Sequence, residues 1–153
     1  MTDVDTVIPE TKAPGESVAP VGSVAVVGGG IGGMQAAIDL AEAGFVVHLI
    51  ERAPAIGGTM AQLDKTFPTN DCSMCILSPK MNEVARHENV VLHTCTEVAS
   101  VEGEPGRYRL NLVAKPRFID TEKCNGCGEC VIICPVEVYN RFDAGVGVRK
   151  AIY

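Results

Sequence analysis

The chain has 153 residues, a formal net charge of -6 at pH 7, 46% apolar residues, 21% charged residues and no tryptophan. This length suits one ordinary domain, or one domain with a small insert, and the composition is typical of a globular rather than a disordered or fibrous protein. The acidic balance without a Lys/Arg-rich run excludes the charge pattern of a nucleic-acid binder, and no apolar stretch approaches the ~20 residues of a membrane-spanning helix.

Residues 1–20 predict a disordered tail. They lack the basic and then apolar segments of an export signal and carry Thr, Asp, Pro, Glu, Lys and Gly instead. The seven cysteines form two tight groups and one singleton, which fits a disulfide framework poorly and metal ligation in a reducing compartment well. We therefore expect a cytoplasmic protein.

A βαβ unit is predicted after the tail. Ser23 to Val27 is a short Val-rich run typical of a buried parallel strand, and Ile31 to Ala43 carries helix formers at helical spacing. Gly44 would close that helix. Phe45 to Ile50 then predicts a second strand, which ends at Glu51.

The turn between the first strand and the helix carries the pattern Gly28-x-Gly30-x-x-Gly33. Gly28 permits the tight turn, Gly30 lets the backbone approach a pyrophosphate, and Gly33 lets the helix lie close to the strand. The helix N-terminus at Ile31 would stabilise the phosphate charge. Glu51 would accept hydrogen bonds from the adenosine ribose and disfavours a 2′-phosphate, which argues against NADP. FAD and NAD share this pattern, and a glycine-rich turn without a ligand is the structural alternative.

Past Glu51 the periodicity weakens. Ala53 to Asn70 reads as a loop with a short helix near Met60 to Leu63, and Ser78 to His87 predicts a helix with Pro79 in its first turn. A third strand and a hairpin follow, with predicted bounds of Asn89 to Thr94 for the strand, Glu97 to Val101 and Tyr108 to Val113 for the hairpin strands, and Gly103 to Gly106 for the hairpin turn.

The C-terminal cysteines have the spacing of a bacterial ferredoxin, in the order Cys124-x-x-Cys127-x-x-Cys130-x-x-x-Cys134-Pro135. Two-residue spacers let successive thiolates reach different irons of one 4Fe-4S cluster. A zinc site built from CxxC pairs would leave Cys130 and Cys134 unexplained. In two-cluster ferredoxins the fourth cysteine binds the other cluster, so Cys134 is expected to serve a second cluster whose remaining ligands this chain lacks.

Cys72 and Cys75 form a separate CxxC, which in a cytosolic protein is a redox dithiol, half of a metal site or a buried unreactive pair. Cys95 is expected to be a packed thiol at a strand end. Structural or surface roles are expected for three histidines without a spaced partner, His48, His87 and His93.

Two resemblances sharpen these expectations. Glu51-Arg52 followed by Gly57-Gly58 resembles the acid, basic residue and paired glycines of FAD-dependent disulfide-reductase-type proteins, which favours FAD over NAD. The whole chain after residue 21 is similar to the A-type subunit of the heterodisulfide reductases, which carries flavin and iron-sulfur clusters. The segments that carry this second resemblance are Gly28 to Gly33, Ile56 to Gly58, Leu63 to Cys75, Pro79 to Met81, Arg86 to His87, Lys115 to Arg117, the ferredoxin run and Arg149 to Tyr153.

The resemblance implies an α/β protein: a Rossmann-like, thioredoxin-reductase-like FAD-binding domain with an inserted, truncated α+β ferredoxin-like domain. It implies a flavin that exchanges electrons with 4Fe-4S clusters and splits electron pairs, partner subunits of the B and C type, and hydrogenase, formate dehydrogenase or ferredoxin as electron partner. We expect a tail over residues 1–20, an incomplete FAD-binding domain over 21–115 and the first half of a 4Fe-4S domain over 116–153.

The expected ligand sets follow from the motifs and the resemblance together. FAD is assigned to Gly28, Gly30, Ile31, Gly33, Glu51, Arg52, Gly57 and Gly58, and the cluster cysteines are Cys124, Cys127, Cys130 and Cys134. Because the family continues past Tyr153, the chain is expected to be an N-terminal fragment that is inactive alone. The alternatives are a quinone-interacting or glutamate-synthase-like flavoprotein subunit, or a non-catalytic electron relay.

Overall fold

The computed structural model describes residues 22–152, so the tail expected over residues 1–20 lies outside the described residues. The elements in chain order are β1 (Ser23–Val27), α1 (Ile31–Glu42), β2 (Val46–Ile50), a 3-10 turn (Gly58–Gln62), α2 (Ser73–Arg86), β3 (Val90–His93), β4 (Thr96–Glu104), β5 (Arg107–Ala114), α3 (Glu129–Ile133), β6 (Glu137–Tyr139), a second 3-10 turn (Arg141–Asp143) and β7 (Val148–Lys150). The chain divides into two compact units, with the boundary between Pro116 and Arg117.

A three-stranded parallel sheet in the order β1-β2-β3 forms the centre of the first unit. The middle strand, β2, is buried on both faces over Val47–Ile50, as its continuous apolar run predicts. β1, α1, β2 and β3 lie within two residues of their predicted bounds. All three strands run in the same direction, so their carboxyl ends meet at one edge of the sheet.

Helices α1 and α2 form the hydrophobic core together with β2. The buried residues of α1 recur at the spacing of one helical face, and they pack against β2 and α2; the cluster is Met34, Ala37, Ile38, Ala41, Val47, Leu49, Leu77 and Val84. Each fully buried large apolar side chain contributes roughly 1.5–3 kcal/mol. The start of α1, and the glycine turn before it, are therefore held on a rigid frame.

Asn89 links three elements of this unit just before β3 begins. Its side-chain Nδ2 donates to the carbonyl oxygen of Ala41 at 3.1 Å, near the end of α1. Its backbone carbonyl accepts from the amide of Val47 at 2.8 Å, and its own amide donates to Nδ1 of His87 at 3.1 Å. Asn89 thus joins the end of α1, the start of β2 and the end of α2.

Helix α2 begins five residues earlier than the sequence predicts, at Ser73 rather than Ser78. Its N-cap is Cys72, whose sulfur accepts from the amide of Cys75 at 3.2 Å. Cysteine is not among the residue types that usually signal a helix start, which explains the error. Pro79 consequently lies inside the helix rather than in its first turn, and it removes one backbone hydrogen bond there.

The predicted hairpin is present as a separate two-stranded sheet of β4 and β5. Its strands are longer than predicted, so that only residues 105–106 connect them and Gly103 belongs to β4. Gly103 has a φ of 109°, and a Cβ there would overlap the carbonyl oxygen of Arg107. The glycine is needed for this close cross-strand approach and not for the turn itself.

The second unit contains α3 and an antiparallel pair of short strands, β6 and β7, with Glu137 opposite Lys150 and Tyr139 opposite Val148. An ion pair joins Lys150 to Glu137 at 2.9 Å. Across residues 22–152, no helix has both the length and the apolar character needed to cross a membrane.

Candidate functional site

The Gly28–Gly33 turn connects the carboxyl end of β1 to α1. Gly28 has a φ of 105°, and its amide donates to the carbonyl oxygen of Ile50 at 2.8 Å, which fixes the turn to the end of β2. A Cβ on Gly33 would overlap the carbonyl oxygen of Gly28, so the first turn of α1 lies against the end of β1 at a distance that only glycine allows. At Gly30, in contrast, a Cβ would have no atom within 4 Å.

Glu51 binds this turn through its side chain. One carboxylate oxygen accepts from the amide of Gly29 at 2.6 Å, and the other accepts from the amide of Ala53 at 2.7 Å. Gly29 is tightly enclosed, since a Cβ there would lie 2.8 Å from Cγ2 of Ile56. The sequence pattern places no requirement on Gly29, and the signal that could have revealed it is the unbroken run of three glycines.

The paired glycines pack on the same turn. The amide of Gly57 donates to the carbonyl oxygen of Gly29 at 2.7 Å, and a Cβ on Gly58 would lie 3.0 Å from Cα of Gly30. Both glycines have positive φ, 124° and 56°. The structure therefore brings Gly28, Gly30, Gly33, Glu51, Gly57 and Gly58 into one assembly.

The two other residues assigned to the cofactor lie at the margin of this assembly. Ile31 is half-buried and packs against the hydrophobic core, while Arg52 is exposed.

This geometry fits a dinucleotide. Helix α1 starts at Gly30 without a side-chain cap, and the first amides of a helix have no partner within it. Those amides and the open space at Gly30 suit the diphosphate of a dinucleotide. The two oxygens of Glu51 each keep acceptor capacity beyond their amide partners, which suits ribose hydroxyls.

Cys72 and Cys75 form a disulfide at the N-terminus of α2, with their Cα atoms 5.3 Å apart. Both side chains are exposed, so the alternative of a buried unreactive pair does not describe them. Ser73, between them, is fully buried, and its hydroxyl has no hydrogen-bond partner among the described residues.

The four cysteines of the ferredoxin run are all free thiols; Cys124, Cys127 and Cys130 are exposed, and Cys134 is half-buried. Gly126 and Gly128 adopt positive φ of 73° and 81° between them. Four thiols with this spacing are the donor set that a 4Fe-4S cluster takes. Within residues 22–152, however, the structure does not gather three or more Cys, His, Asp or Glu side chains at one metal-sized site.

The environment of Cys134 differs from that of the other three cysteines. Backbone hydrogen bonds from Ile152 and Val136 lower the pKa of its thiol, with smaller contributions in the same direction from Ala151 and the charge of Lys150. Partial desolvation acts in the opposite direction. The thiolate form of Cys134 is thus favoured by its surroundings.

His48 and His93 are partners, contrary to the expectation that the histidines are isolated. Nδ1 of His48 lies 3.1 Å from Nε2 of His93, and the rings stack with centroids 5.4 Å apart. Burial lowers the pKa of both imidazoles, and the charge of His93 lowers that of His48 further. The pair forms because His48 lies opposite Val91 and His93 opposite Ile50, a strand register that the sequence does not show.

The segment after His93 returns to Glu51. The amide of Glu51 donates to the carbonyl oxygen of His93 at 2.8 Å, and its carbonyl accepts from the amide of Thr96 at 3.0 Å. Cys95 lies in this turn with a φ of 54°, and its amide donates to the carbonyl oxygen of Ala53 at 3.0 Å. Cys95 is half-buried at the end of β3, near its predicted position.

Comparisons with known proteins identify what both units resemble. Residues 23–105 match the family described as FAD dependent oxidoreductase, and residues 117–140 match the 4Fe-4S binding domain. The second A-type iron-sulfur subunit of the CoB-CoM heterodisulfide reductase of Methanopyrus kandleri is 56% identical over 128 residues, which are 84% of this chain and 20% of that protein. The A-type subunit of the H2:CoB-CoM heterodisulfide, ferredoxin reductase of Methanothermobacter marburgensis is 54% identical over 128 residues, again 84% of this chain and 19% of that protein.

A solved structure supports the same fold. L-proline dehydrogenase from P. horikoshii superposes with a TM-score of 0.53 at 26% identity, over 60% of this chain and 18% of that one. The chain therefore spans about a fifth of the length of the relatives it matches in sequence.

Proposed function

Because the chain belongs to the FAD-dependent oxidoreductase family and carries a 4Fe-4S domain, we propose that it forms the flavin-binding part of a heterodisulfide-reductase-type electron-transfer subunit. In this proposal the flavin exchanges electrons with the iron-sulfur cluster of the same chain. A flavin takes part in one- and two-electron steps and a cluster in one-electron steps, so the combination interconverts the two kinds of electron transfer.

The observation that carries the proposal is the presence of two complete donor sets on one polypeptide. The first unit has the Gly28–Gly33 turn, closed by Glu51 and the paired glycines. The second unit has four free thiols at ferredoxin spacing. Neither arrangement contributes an obvious acid-base pair, and electron transfer does not require one.

We assign the FAD contacts to the first unit. The amides at the start of α1, from Ile31 onward, would face the diphosphate, and Gly30 would leave room for it. Glu51 would orient the ribose. The full proposed set, within an FAD-binding domain over residues 21–115, is Gly28, Gly30, Ile31, Gly33, Glu51, Arg52, Gly57 and Gly58.

The iron-sulfur contacts fall in the second unit, residues 116–153. Cys124, Cys127 and Cys130 would hold one cluster, and Cys134, whose thiolate is favoured by backbone amides, would ligate a second one.

The partners follow from the relatives. Their printed names describe heterodisulfide reductases, and that of Methanothermobacter marburgensis adds H2 and ferredoxin. By analogy, this chain would work with disulfide-reducing B and C type subunits and take electrons from a hydrogenase, a formate dehydrogenase or ferredoxin. Division of an electron pair between two acceptors at the flavin is the corresponding activity of the whole complex.

The test is a cofactor count on the chain after strictly anaerobic purification and reconstitution with FAD, iron and sulfide. Stoichiometric flavin, with iron and sulfide in equal amounts, is the expected result. Reduction of the cluster by photoreduced flavin, followed in the visible spectrum, would support electron exchange between them. A chain that binds zinc but neither flavin nor iron would contradict the proposal.

A further inference from the structure

The Cys72–Cys75 disulfide lies at a position suited to reversible chemistry. It bridges the N-cap and the third residue of α2, a 14-residue helix, and both side chains are exposed. The amide of Cys75 donates to the sulfur of Cys72 at 3.2 Å. An amide donor and a helix N-terminus both stabilise negative charge on a cysteine sulfur. Opening the bridge would therefore leave Cys72 with a favourable environment for its thiolate.

The backbone around the pair is held by other bonds, so the bridge is not needed to keep it in place. The amide of Ser73 donates to the carbonyl oxygen of Asp64 at 3.1 Å, and Lys65 and Cys72 form an antiparallel bridge. The amide of Thr66 donates to the carbonyl oxygen of Asp71 at 2.9 Å. A disulfide that closes a loop of so few residues also adds less stability than one that closes a long loop. A purely structural role explains the bridge poorly.

The metal-ligand alternative lacks further ligands in this part of the chain. Among residues 22–152, Cys72 and Cys75 have no third Cys, His, Asp or Glu close enough to complete a metal site. The pair is instead connected to the flavin-binding unit. A Cβ on Gly57 would lie 3.5 Å from Cδ2 of Leu77 and 3.8 Å from Sδ of Met81, so the paired glycines pack along the turns of α2 that follow the disulfide.

We propose that Cys72 and Cys75 are a redox-active pair that cycles between disulfide and dithiol by exchanging two electrons with the flavin. The proposal rests on FAD binding as proposed above. In the reductive direction the S–S bond breaks and two S–H bonds form. The two electrons and one proton come from the reduced flavin, the second proton comes from water, and the flavin is left oxidised.

Electron counting tests this directly. The chain is loaded with FAD but not with iron and is titrated anaerobically with dithionite. The wild-type chain should take up four electrons per flavin, two for the flavin and two for the disulfide. The Cys72→Ser/Cys75→Ser variant should take up two, with unchanged flavin content. Cys95→Ser is the matched control and should behave as the wild type. Alkylation followed by mass spectrometry should show two new thiols, on Cys72 and Cys75.

Three outcomes would overturn the proposal. The first is an equal electron count in the wild type and the double variant. The second is a lower iron content in the double variant after cluster reconstitution, which would make the pair a cluster ligand. The third is a disulfide that stays closed in excess dithiothreitol. Failure to bind flavin would instead count first against the proposed function, and the dithiothreitol experiment would still decide whether the pair opens.

Discussion

The carboxylate of Glu51 accepts a hydrogen bond from the amide of Gly29 at 2.6 Å, in the turn where a dinucleotide would bind. Its second oxygen accepts from the amide of Ala53 at 2.7 Å. Glu51 therefore fixes the shape of the turn before any ribose is present. Its two amide partners make a role limited to ribose recognition insufficient.

Replacing Glu51 with Gln should weaken FAD binding and loosen the turn. The amide nitrogen of Gln cannot accept a hydrogen bond, so at most one of the two bonds survives, and a buried unsatisfied donor costs about 1–3 kcal/mol. Hydrogen exchange at Gly29 or Ala53 should accelerate in the flavin-free chain. Glu42→Gln, an exposed change at the end of α1, is the control. Unchanged exchange with weaker FAD binding would limit Glu51 to the ribose.

Replacing Gly33 with Ala should destabilise the first unit, because its Cβ would overlap the carbonyl oxygen of Gly28. Forced overlap in a packed site costs roughly 1–3 kcal/mol. Gly32 is the matched control, since it is in the same helical turn and a Cβ there meets no atom within 4 Å. Urea unfolding of both variants is the measurement. Equal stability of Gly33→Ala and Gly32→Ala would show that α1 can move away from β1 at little cost.

A Gly30→Leu substitution should separate flavin binding from folding. Gly30 has a φ of -76° and a ψ of 179°, which any residue adopts, and its side-chain direction is open. The fold should therefore keep its stability, while the added side chain enters the space proposed for the diphosphate. We expect FAD affinity to fall by at least about tenfold, or about 1.4 kcal/mol. Retained flavin, measured by fluorescence titration, would argue against this location for the cofactor.

The His48 and His93 pair should make stability depend on pH. The pKa of each imidazole is lowered in the folded chain from its usual value of 6.5, so the unfolded chain binds more protons as the pH falls. The contribution is fully present above pH 6.5 and is lost progressively below it. Urea unfolding should give a lower free energy at pH 5.5 than at pH 7.5. A His48→Gln/His93→Gln variant should show a weaker dependence, and an identical slope would assign the effect to other groups.

Iron content should depend on the ferredoxin cysteines one at a time. Cys127→Ser removes one of the thiolates that a 4Fe-4S cluster requires, so reconstituted iron and sulfide should fall by most of their amount. Flavin content should stay unchanged. Cys95→Ser, which alters a thiol in the first unit, should leave both cofactors at wild-type levels. Full iron binding by Cys127→Ser would show that other ligands can replace this cysteine.

The sequence predicts the strand-turn-helix unit and its glycine positions well, because the requirements there are local. Gly28 needs a positive φ and Gly33 a close approach, and both follow from the spacing of one motif. The start of α2 was predicted wrongly because a cysteine sulfur caps the helix. Contacts that depend on strand register or on distant loops, such as His48 with His93 and Gly57 with Gly29, leave no local signal.

Asn89 has a consequence that reaches the cofactor turn from the opposite end of the sheet. Its bonds to Ala41 and Val47 set the phase in which β3 joins β2. Side chains alternate along a strand, so a slip of one residue would exchange the two faces of β3 and carry His93 away from His48. The carbonyl of His93 would also lose its alignment with the amide of Glu51. One amide side chain thus acts as the indexing pin for the strand that supports Glu51.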